Sequence, residues 1–358
     1  MTILVTGGAG FIGANFVLSC LRAGEEPVVN LDKLTYAGNL GSLAAASANP
    51  RHLFVKGDIC DLELVSDLLR QHAVRAIVHF AAESHVDRSI RGPEDFIRTN
   101  ITGTFRLLEA TRSYVATLPA AAREAFRFVN VSTDEVFGSL GPDAIPFDET
   151  SGYFPNSPYS ASKAAGDHLV RSYFHTYGLP VITTHCSNNY GPFQFPEKLI
   201  PLVILRGQKG ESLPVYGDGM NVRDWLYVED HCEALRAVLA GGKPGATYNI
   251  GGDCEKANLD VVHEVCALLD ELHPLPGEKA HRELVRFVAD RPGHDRRYAI
   301  DAGKIRRELG WRPAEDFRSG IRKTVVWYLQ NQDWVNDVSS GEYRNWLATN
   351  YGSGVDAQ

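Results

Sequence analysis

Tyr159 and Lys163 stand four residues apart in Tyr159-Ser160-Ala161-Ser162-Lys163. On a helix that spacing projects both from one face, about 6 Å apart at Cβ, and sets an ammonium beside a phenol. A free tyrosine titrates near ~10, and a fixed cation favours its phenolate. Tyr159 is thus a candidate acceptor for the proton of a substrate hydroxyl. Tyr-x-x-x-Lys also occurs by chance, so the pair needs support from the rest of the chain. Upstream, Ser132-Thr133-Asp134-Glu135 closes a strand expected over 127–131. Two acids in a loop are ordinarily solvated surface. The hydroxyl-rich approach, and the helix that opens after Pro155 and Pro158, make them candidates for acid–base work.

These groups need a scaffold, and the N-terminal half spells one. An apolar run at 3–5 leads into Gly7-Gly8-Ala9-Gly10-Phe11-Ile12-Gly13, and a helical pattern follows over 15–22. Gly7, Gly10 and Gly13 permit a tight turn, a close backbone approach to a pyrophosphate and helix packing on the strand. The helix N-terminus offers N–H groups and a positive dipole end to the phosphates. A second strand over 27–31 ends at Asp32, nineteen residues after Gly13. A carboxylate there accepts from the adenosine ribose hydroxyls and repels a 2′-phosphate, which favours NAD over NADP; neighbouring Lys33 pulls the other way. A third strand over 52–56 brings Asp58, which either reaches the adenine amino group or caps the helix starting at Asp61.

A fourth strand over 76–80 reads as buried in a parallel sheet and is followed by Ala81 and Ala82, small enough for a flat cofactor to lie against. One long helix is expected over 93–114. The fifth strand then delivers Thr133, Asp134 and Glu135 at the carboxyl edge, where open parallel sheets bind ligands, and a sixth runs over 180–185. The alternation predicts an α/β fold, a doubly wound parallel Rossmann sheet. Its domain spans 1–187, with returning segments near 225–251 and 302–330, and a smaller mixed α/β substrate domain takes up the remainder of 188–358. Late in the chain, a Pro-Gly turn gathers Arg291, His294, Arg296 and Arg297, either as solvated charge or as guanidiniums for a diphosphate; the diphosphate is favoured.

Composition narrows the classes. The chain has 358 residues, 36 Lys and Arg against 44 Asp and Glu, and a net charge of −8. Without a long basic run, a nucleic-acid surface is not expected. Six cysteines lack close pairing or a C-x-x-C, which argues against zinc, any metal site and a disulfide framework, and suits buried thiols in a reducing cytoplasm. The N-terminus carries neither a basic n-region nor a long apolar segment, so a cytoplasmic protein with no membrane span is expected.

Taken in order, Thr6–Gly13, Asp32-Lys33-Leu34-Thr35-Tyr36-Ala37-Gly38-Asn39, Ala82-Glu83-Ser84-His85-Val86-Asp87, Ser132-Thr133-Asp134-Glu135-Val136-Phe137-Gly138, Asn188-Asn189-Tyr190-Gly191-Pro192 and Arg223-Asp224-Trp225-Leu226-Tyr227-Val228 resemble an extended short-chain dehydrogenase/reductase, and within that family the nucleotide-sugar 4,6-dehydratases. The resemblance covers about residues 1–330. Related epimerases and decarboxylases share the glycines and Tyr159/Lys163 but generally lack the Asp134-Glu135 pair. Phe137 replaces a frequent tyrosine, a matter of packing.

The resemblance implies a nucleoside-diphosphate glucose as substrate and a redox-neutral cycle on tightly bound NAD. C4 is oxidised, water leaves across C5 and C6, and hydride returns to C6. Tyr159, supported by Lys163, takes the C4 hydroxyl proton, with Thr133 on the same oxygen; Glu135 takes the C5 proton, and protonated Asp134 donates to the departing C6 hydroxyl. Asp134 must then hold a proton far above its free value of ~3.9, so it needs apolar surroundings or a nearby anion such as Glu135. Since C5 and C6 are adjacent, and residues along a strand alternate in direction, Asp134 and Glu135 are expected on a turn or first helical residue.

By the same resemblance, Gly7, Gly10, Phe11, Ile12, Gly13, Asp32, Lys33 and Thr35 bind the cofactor, with Asp58, Ile59, Phe80, Ala81, Ala82, Ser84, Thr99, Tyr159, Lys163 and Asn188. Thr99 or Asn100 orients the ligands after the fourth strand. Ser84 and His85 fall near the sugar and nicotinamide, and Thr133 to the sugar. Asn188, Lys198, Leu199, Pro214, Tyr216, Arg223, Asn258, Arg291, His294 and Tyr298 fall to the substrate's diphosphate and base. A homodimer through helices around 95–113 and 160–176 is implied, and thymidine rather than uridine rests on the resemblance alone. Two other functions remain open: a 4-epimerase or C6 decarboxylase, which would not use Asp134 or Glu135, and a non-catalytic dinucleotide sensor, which needs neither the acids nor Tyr159.

Overall fold

The computed structural model describes residues 2–24 and 26–339. Its strands in chain order are β1 (Thr2–Thr6), β2 (Val28–Asp32), β3 (His52–Lys56), β4 (Val74–His79), β5 (Arg127–Thr133), β6 (Val181–Cys186), β7 (Asn188–Tyr190), β8 (Leu213–Tyr216), β9 (Val222–Tyr227), β10 (Thr247–Ile250), β11 (Glu255–Ala257) and β12 (Val285–Val288). Seven form one sheet in the order β10-β6-β5-β4-β1-β2-β3, every neighbouring pair parallel. The chain winds from β1 out to β3, then returns to β4 and continues the other way. That reversal opens a crevice at the carboxyl ends, the ligand edge of a doubly wound sheet.

A sheet covered on both faces demands apolar runs rather than alternation. Leu4, Val5, Ile77 and Val78 are accordingly fully buried, and each such side chain contributes roughly 1.5–3 kcal/mol. Helices Phe11–Ala23 and Val228–Gly241 cover one face through Phe16, Val17, Leu235 and Val238. Helices Leu62–Gln71, Thr104–Thr117 and Pro158–Tyr177 cover the other through Leu69, Leu107 and Val170. A third core joins helices Leu199–Gln208, Asn258–Leu272 and Phe317–Gln330 to a three-stranded mixed sheet, β11-β9-β7, and a β12-β8 pair. β10 follows β8 and β9 in sequence yet lies in the large sheet.

The single helix expected over 93–114 is three pieces: one turn at Glu94–Phe96, a π-helical stretch at Ile97–Gly103, and the α-helix Thr104–Thr117. Asn100 explains the interruption. Its amide accepts from Glu83 N and donates to Glu83 O, each at 2.9 Å, and donates to Ser162 Oγ at 2.8 Å. One side chain thus clamps the loop after β4 to the helix that carries Tyr159, and widened turns of this kind recur at functional sites.

Four of the six free thiols are buried; Cys60 and Cys254, on connecting segments, are only half-buried, which corrects the expectation for those two. No helix among the described residues is long and apolar enough to cross a membrane. The tail beyond Ser339 lies outside the described residues.

Candidate active site

β1 hands the chain to Gly7, whose φ of +74° is left-handed; a Cβ there would lie 2.5 Å from the Ala81 nitrogen. Glycine alone accepts both conditions. The Phe11–Ala23 helix starts at Gly10 without a side-chain cap, so its first N–H groups are available to an anion. A cavity of about 300 Å³ follows this edge. All the residues assigned to the cofactor line it: the loop of Gly7, Gly10 and Phe11 to Gly13; Asp32, Lys33 and Thr35; Asp58 and Ile59; Phe80, Ala81, Ala82 and Ser84; Thr99 and Asn188; Tyr159 and Lys163.

The residues fit NAD. Asp32 Oδ2 accepts from Ala9 N and Oδ1 from Leu34 N, both at 2.8 Å, which fixes the carboxylate and leaves each oxygen a lone pair for a ribose hydroxyl. Lys33 is committed to Asp58, Nζ to Oδ2 at 2.8 Å, so the cation that blurred the choice against NADP is neutralised. Asp58 does not cap the following helix: Asp61 does, accepting from Leu64 N, while Asp58 Oδ1 accepts from Cys60 N.

The reacting groups stand where β5 ends. Asp134 and Glu135 open a four-residue 3₁₀ turn, Asp134–Phe137, capped by Thr133, whose hydroxyl accepts from Glu135 N at 3.3 Å. This is the turn the adjacency of C5 and C6 called for. Asp134 is buried, Oδ2 has no hydrogen-bond partner, and Oδ1 meets only Thr133 Oγ1 at 3.4 Å. Burial, then the anions Glu135 and Asp224, push its carboxyl well above the ordinary range. Glu135 is also raised by burial, but Arg291, Lys198 and Arg223 oppose the rise.

Tyr159 is the second residue of the Pro158–Tyr177 helix. Ser157 accepts from Ser160 N in a capping box, with Pro158 in the first turn; such a cap contributes about 1 kcal/mol and fixes where the helix begins. Thr133 acts on the Tyr159 phenol to lower its value against burial, and Lys163 Nζ donates to Val131 O at 2.9 Å. One expectation is overturned. Burial drives the Tyr159 phenol well above its ordinary value, Glu135 adding to the rise. Burial also draws down the Lys163 ammonium, against Asp167 and Cys186, which hold it up.

A second cavity of about 170 Å³ adjoins the first, and Glu135, Asn188, Asn189, Gln194, Glu197 and Lys198 line both. Of the residues assigned to substrate, His85, Leu199, Pro214, Tyr216, Arg223, Asn258, Arg291, His294 and Tyr298 line it, with Asn188 and Lys198; Ser84 and Thr133 line the first cavity instead. Arg223 is buried and sits 4.2 Å above the Tyr298 ring. Arg291 meets Asp87 Oδ1 at 3.2 Å while its buried Nε–H has no partner, a donor suited to phosphate. His294 is pushed down to about 4 by burial beside Arg291, and its Nδ1 lies 2.6 Å from Asp290.

The arginine cluster does not act as a unit. Arg296 pairs with Asp218 and Arg297 with Glu255, both away from the cavities; of the four, Arg291 and His294 line the second cavity. Sequence reasoning also missed Glu197, a nearly inaccessible carboxylate beside Arg88 and His85 at the junction of the cavities. Its only signal was Glu-Lys between a proline and a helix.

A doubly wound sheet, a glycine turn at β1 and a tyrosine–lysine helix after β5 together define a dinucleotide-dependent enzyme of the short-chain dehydrogenase/reductase class. The model of the GDP-mannose 4,6 dehydratase family matches residues 4–324. The chain is 62% identical over 343 residues to the dTDP-glucose 4,6-dehydratase of Xanthomonas campestris pv. campestris, covering 96% of this chain and 97% of the relative. It is 57% identical over 359 residues to dTDP-glucose 4,6-dehydratase 1 of Escherichia coli K12, covering 98% and 99%. A crystal structure of the Streptomyces venezuelae dTDP-glucose 4,6-dehydratase with NAD bound superposes with a TM-score of 0.86 at 48% identity, covering 94% of this chain and all of that one. The chain belongs to the dTDP-glucose 4,6-dehydratase family.

Proposed function

We propose that this chain is an NAD-dependent lyase that dehydrates dTDP-glucose to dTDP-4-keto-6-deoxyglucose. The observation that carries this reading is the Asp134–Glu135 turn, set beside Thr133 and Tyr159 where the two cavities meet. A 4-epimerase or decarboxylase has no use for that pair.

The first cavity holds NAD by the glycine turn, Asp32 and the Phe11–Ala23 helix start. Bound there, NAD supplies a hydride acceptor for C4, a hydride donor for C6 and a positive charge that favours the Tyr159 phenolate. Tyr159 removes the proton of the C4 hydroxyl, with Thr133 hydrogen-bonding the same oxygen and Lys163 balancing the charge. The 4-ketone acidifies C5, and Glu135, kept ionisable by Arg291, Lys198 and Arg223, takes that proton. Asp134, its carboxyl raised by burial and two anions, donates to the C6 hydroxyl as water leaves, and Glu135 returns a proton to C5 when hydride reaches C6. Arg223 and Arg291 hold the diphosphate, and Tyr216, Asn258, His294 and Tyr298 line the same cavity. Asn100 acts on the loop after β4 by holding Glu83.

The proposal extends to a cytoplasmic homodimer. Exposed Ile97 and Phe105 on the 95–113 segment support pairing through it and the 160–176 helix, and six free thiols suit a reducing compartment. Incubation with dTDP-glucose in deuterated water, without added NAD, tests the function. The expected product is a 6-deoxy-4-keto sugar nucleotide carrying deuterium at C5; a product that retains its C6 oxygen sinks the reading.

A further inference from the structure

One turn beyond Lys163 on the Pro158–Tyr177 helix lies Asp167, as deeply buried. Asn130 Nδ2 donates to Oδ1 at 2.8 Å, and Ser132 Oγ donates to Oδ2 at 2.7 Å. The Tyr153 hydroxyl donates to Oδ2 at 3.3 Å, and His185 Nε2 lies 3.3 Å from Oδ2 and 2.7 Å from the Tyr153 oxygen. Each of these groups can donate, and none of them requires a proton from the acid. Such a cage stabilises an ionised carboxylate, and a buried anion needs a cation.

β4 contributes His79, pushed down to about 3 by burial and by Lys163. The turn after β5 contributes the acids Asp134 and Glu135. β6 contributes the Cys186 thiol, pushed up to about 12 by burial, and His185, whose Nδ1 has no partner, so a second ring N–H there would be buried unsatisfied. The loop before the helix contributes Tyr153, and the helix itself Tyr159 and Lys163. Lys163, whose ammonium donates to the neutral carbonyl of Val131, is the cation of this set.

We infer that Asp167 is a positioning residue for C4 oxidation: its carboxylate, caged by Asn130, Ser132 and Tyr153, keeps Lys163 charged and through it makes the Tyr159 phenolate attainable. This rests on Tyr159 being the base of the proposed reaction. Burial draws Lys163 down, and Asp167 is the largest influence holding it up. The Tyr159, Lys163 and Asp167 spacing therefore forms a graded line of charge along one helix: reacting phenol, cation, supporting anion.

The test is the pH profile of reduced-cofactor formation in a single turnover with dTDP-glucose. With Asp167 neutralised, Lys163 loses its proton at lower pH. D167N should therefore move the alkaline limb down by about one pH unit or more and slow the step roughly tenfold at pH 8. Y153F removes a hydrogen bond but no charge, and should lower the thermal midpoint without moving the limb. An unmoved limb in D167N, or an equal shift in both variants, overturns the inference. If D167N does not fold, K163M/D167N, which removes both charges, should recover folding; its failure to do so assigns Asp167 to structure alone. Wild-type protein inert toward dTDP-glucose would sink the proposed function, and relief of the D167N folding defect by K163M would still decide the Lys163–Asp167 coupling.

Discussion

Asp134 and Glu135 are consecutive in the chain and meet unequal fields. Burial raises both; the anions Glu135 and Asp224 add to the rise at Asp134, against Arg223, while Arg291, Lys198 and Arg223 oppose it at Glu135. That difference suits Asp134 to donate and Glu135 to accept a proton in the proposed reaction.

The donor carries a stability cost with a definite sign. The folded value of Asp134 lies above its unfolded value of ~3.9, so its contribution favours the fold below that pH and is lost as pH rises through the folded value. D134N cannot ionise. Its thermal midpoint, measured against wild type, should show no advantage at pH 4 and a growing one toward pH 8. Its dehydration rate should fall by about 10²–10⁴-fold while C4 oxidation persists. An unchanged rate of product formation would remove Asp134 from the acid role.

Tyr159 and Glu135 can be separated by isotope and absorbance. Y159F should suppress reduced-cofactor absorbance in a single turnover by about 10²-fold or more. E135Q should leave that absorbance in place but abolish exchange of the C5 proton with deuterated solvent. Undiminished exchange in E135Q would point to another base.

The two fates within the arginine cluster predict a contrast. R291K keeps the charge but loses the planar fork, and the KM for dTDP-glucose should rise roughly tenfold, the equivalent of one charge-assisted hydrogen bond. R296A, which breaks an exposed pair with Asp218, should change KM by less than about twofold. Equal effects would mean that both guanidiniums reach the diphosphate.

Gly13 is required by contact. A Cβ there would fall 2.2 Å from Gly7 O, a backbone atom that cannot swing aside. G13A should lower stability by about 1–3 kcal/mol and reduce the NAD retained through purification; a full complement of NAD would mean that the turn can relax.

What could be read in advance was local. The apolar runs of β1 and β4 and the Gly7–Gly13 turn announce themselves within a dozen residues. Pairing across the chain does not. Arg296 and Arg297 look like Arg291 in sequence, and their partners Asp218 and Glu255 lie far upstream. The widened turn at Ile97–Gly103 is invisible because it answers to Glu83 and Ser162. Glu197 was passed over because burial of a single carboxylate depends on everything folded around it. The rise in the Tyr159 value went unforeseen for the same reason: i, i+4 spacing reveals the cation and says nothing of the water removed.

The 3₁₀ turn Asp134–Phe137 has one further consequence. It sits between β5 and the capped Pro158–Tyr177 helix without being part of either, so the groups proposed for elimination and those proposed for redox come from separate cassettes of chain that meet only in space. A designer could exchange Asp134 and Glu135 for uncharged residues and expect a scaffold that oxidises a sugar and stops there. Divergence among enzymes built on this sheet can proceed the same way, by rewriting two positions at a strand's end while the oxidising half of the site is inherited whole.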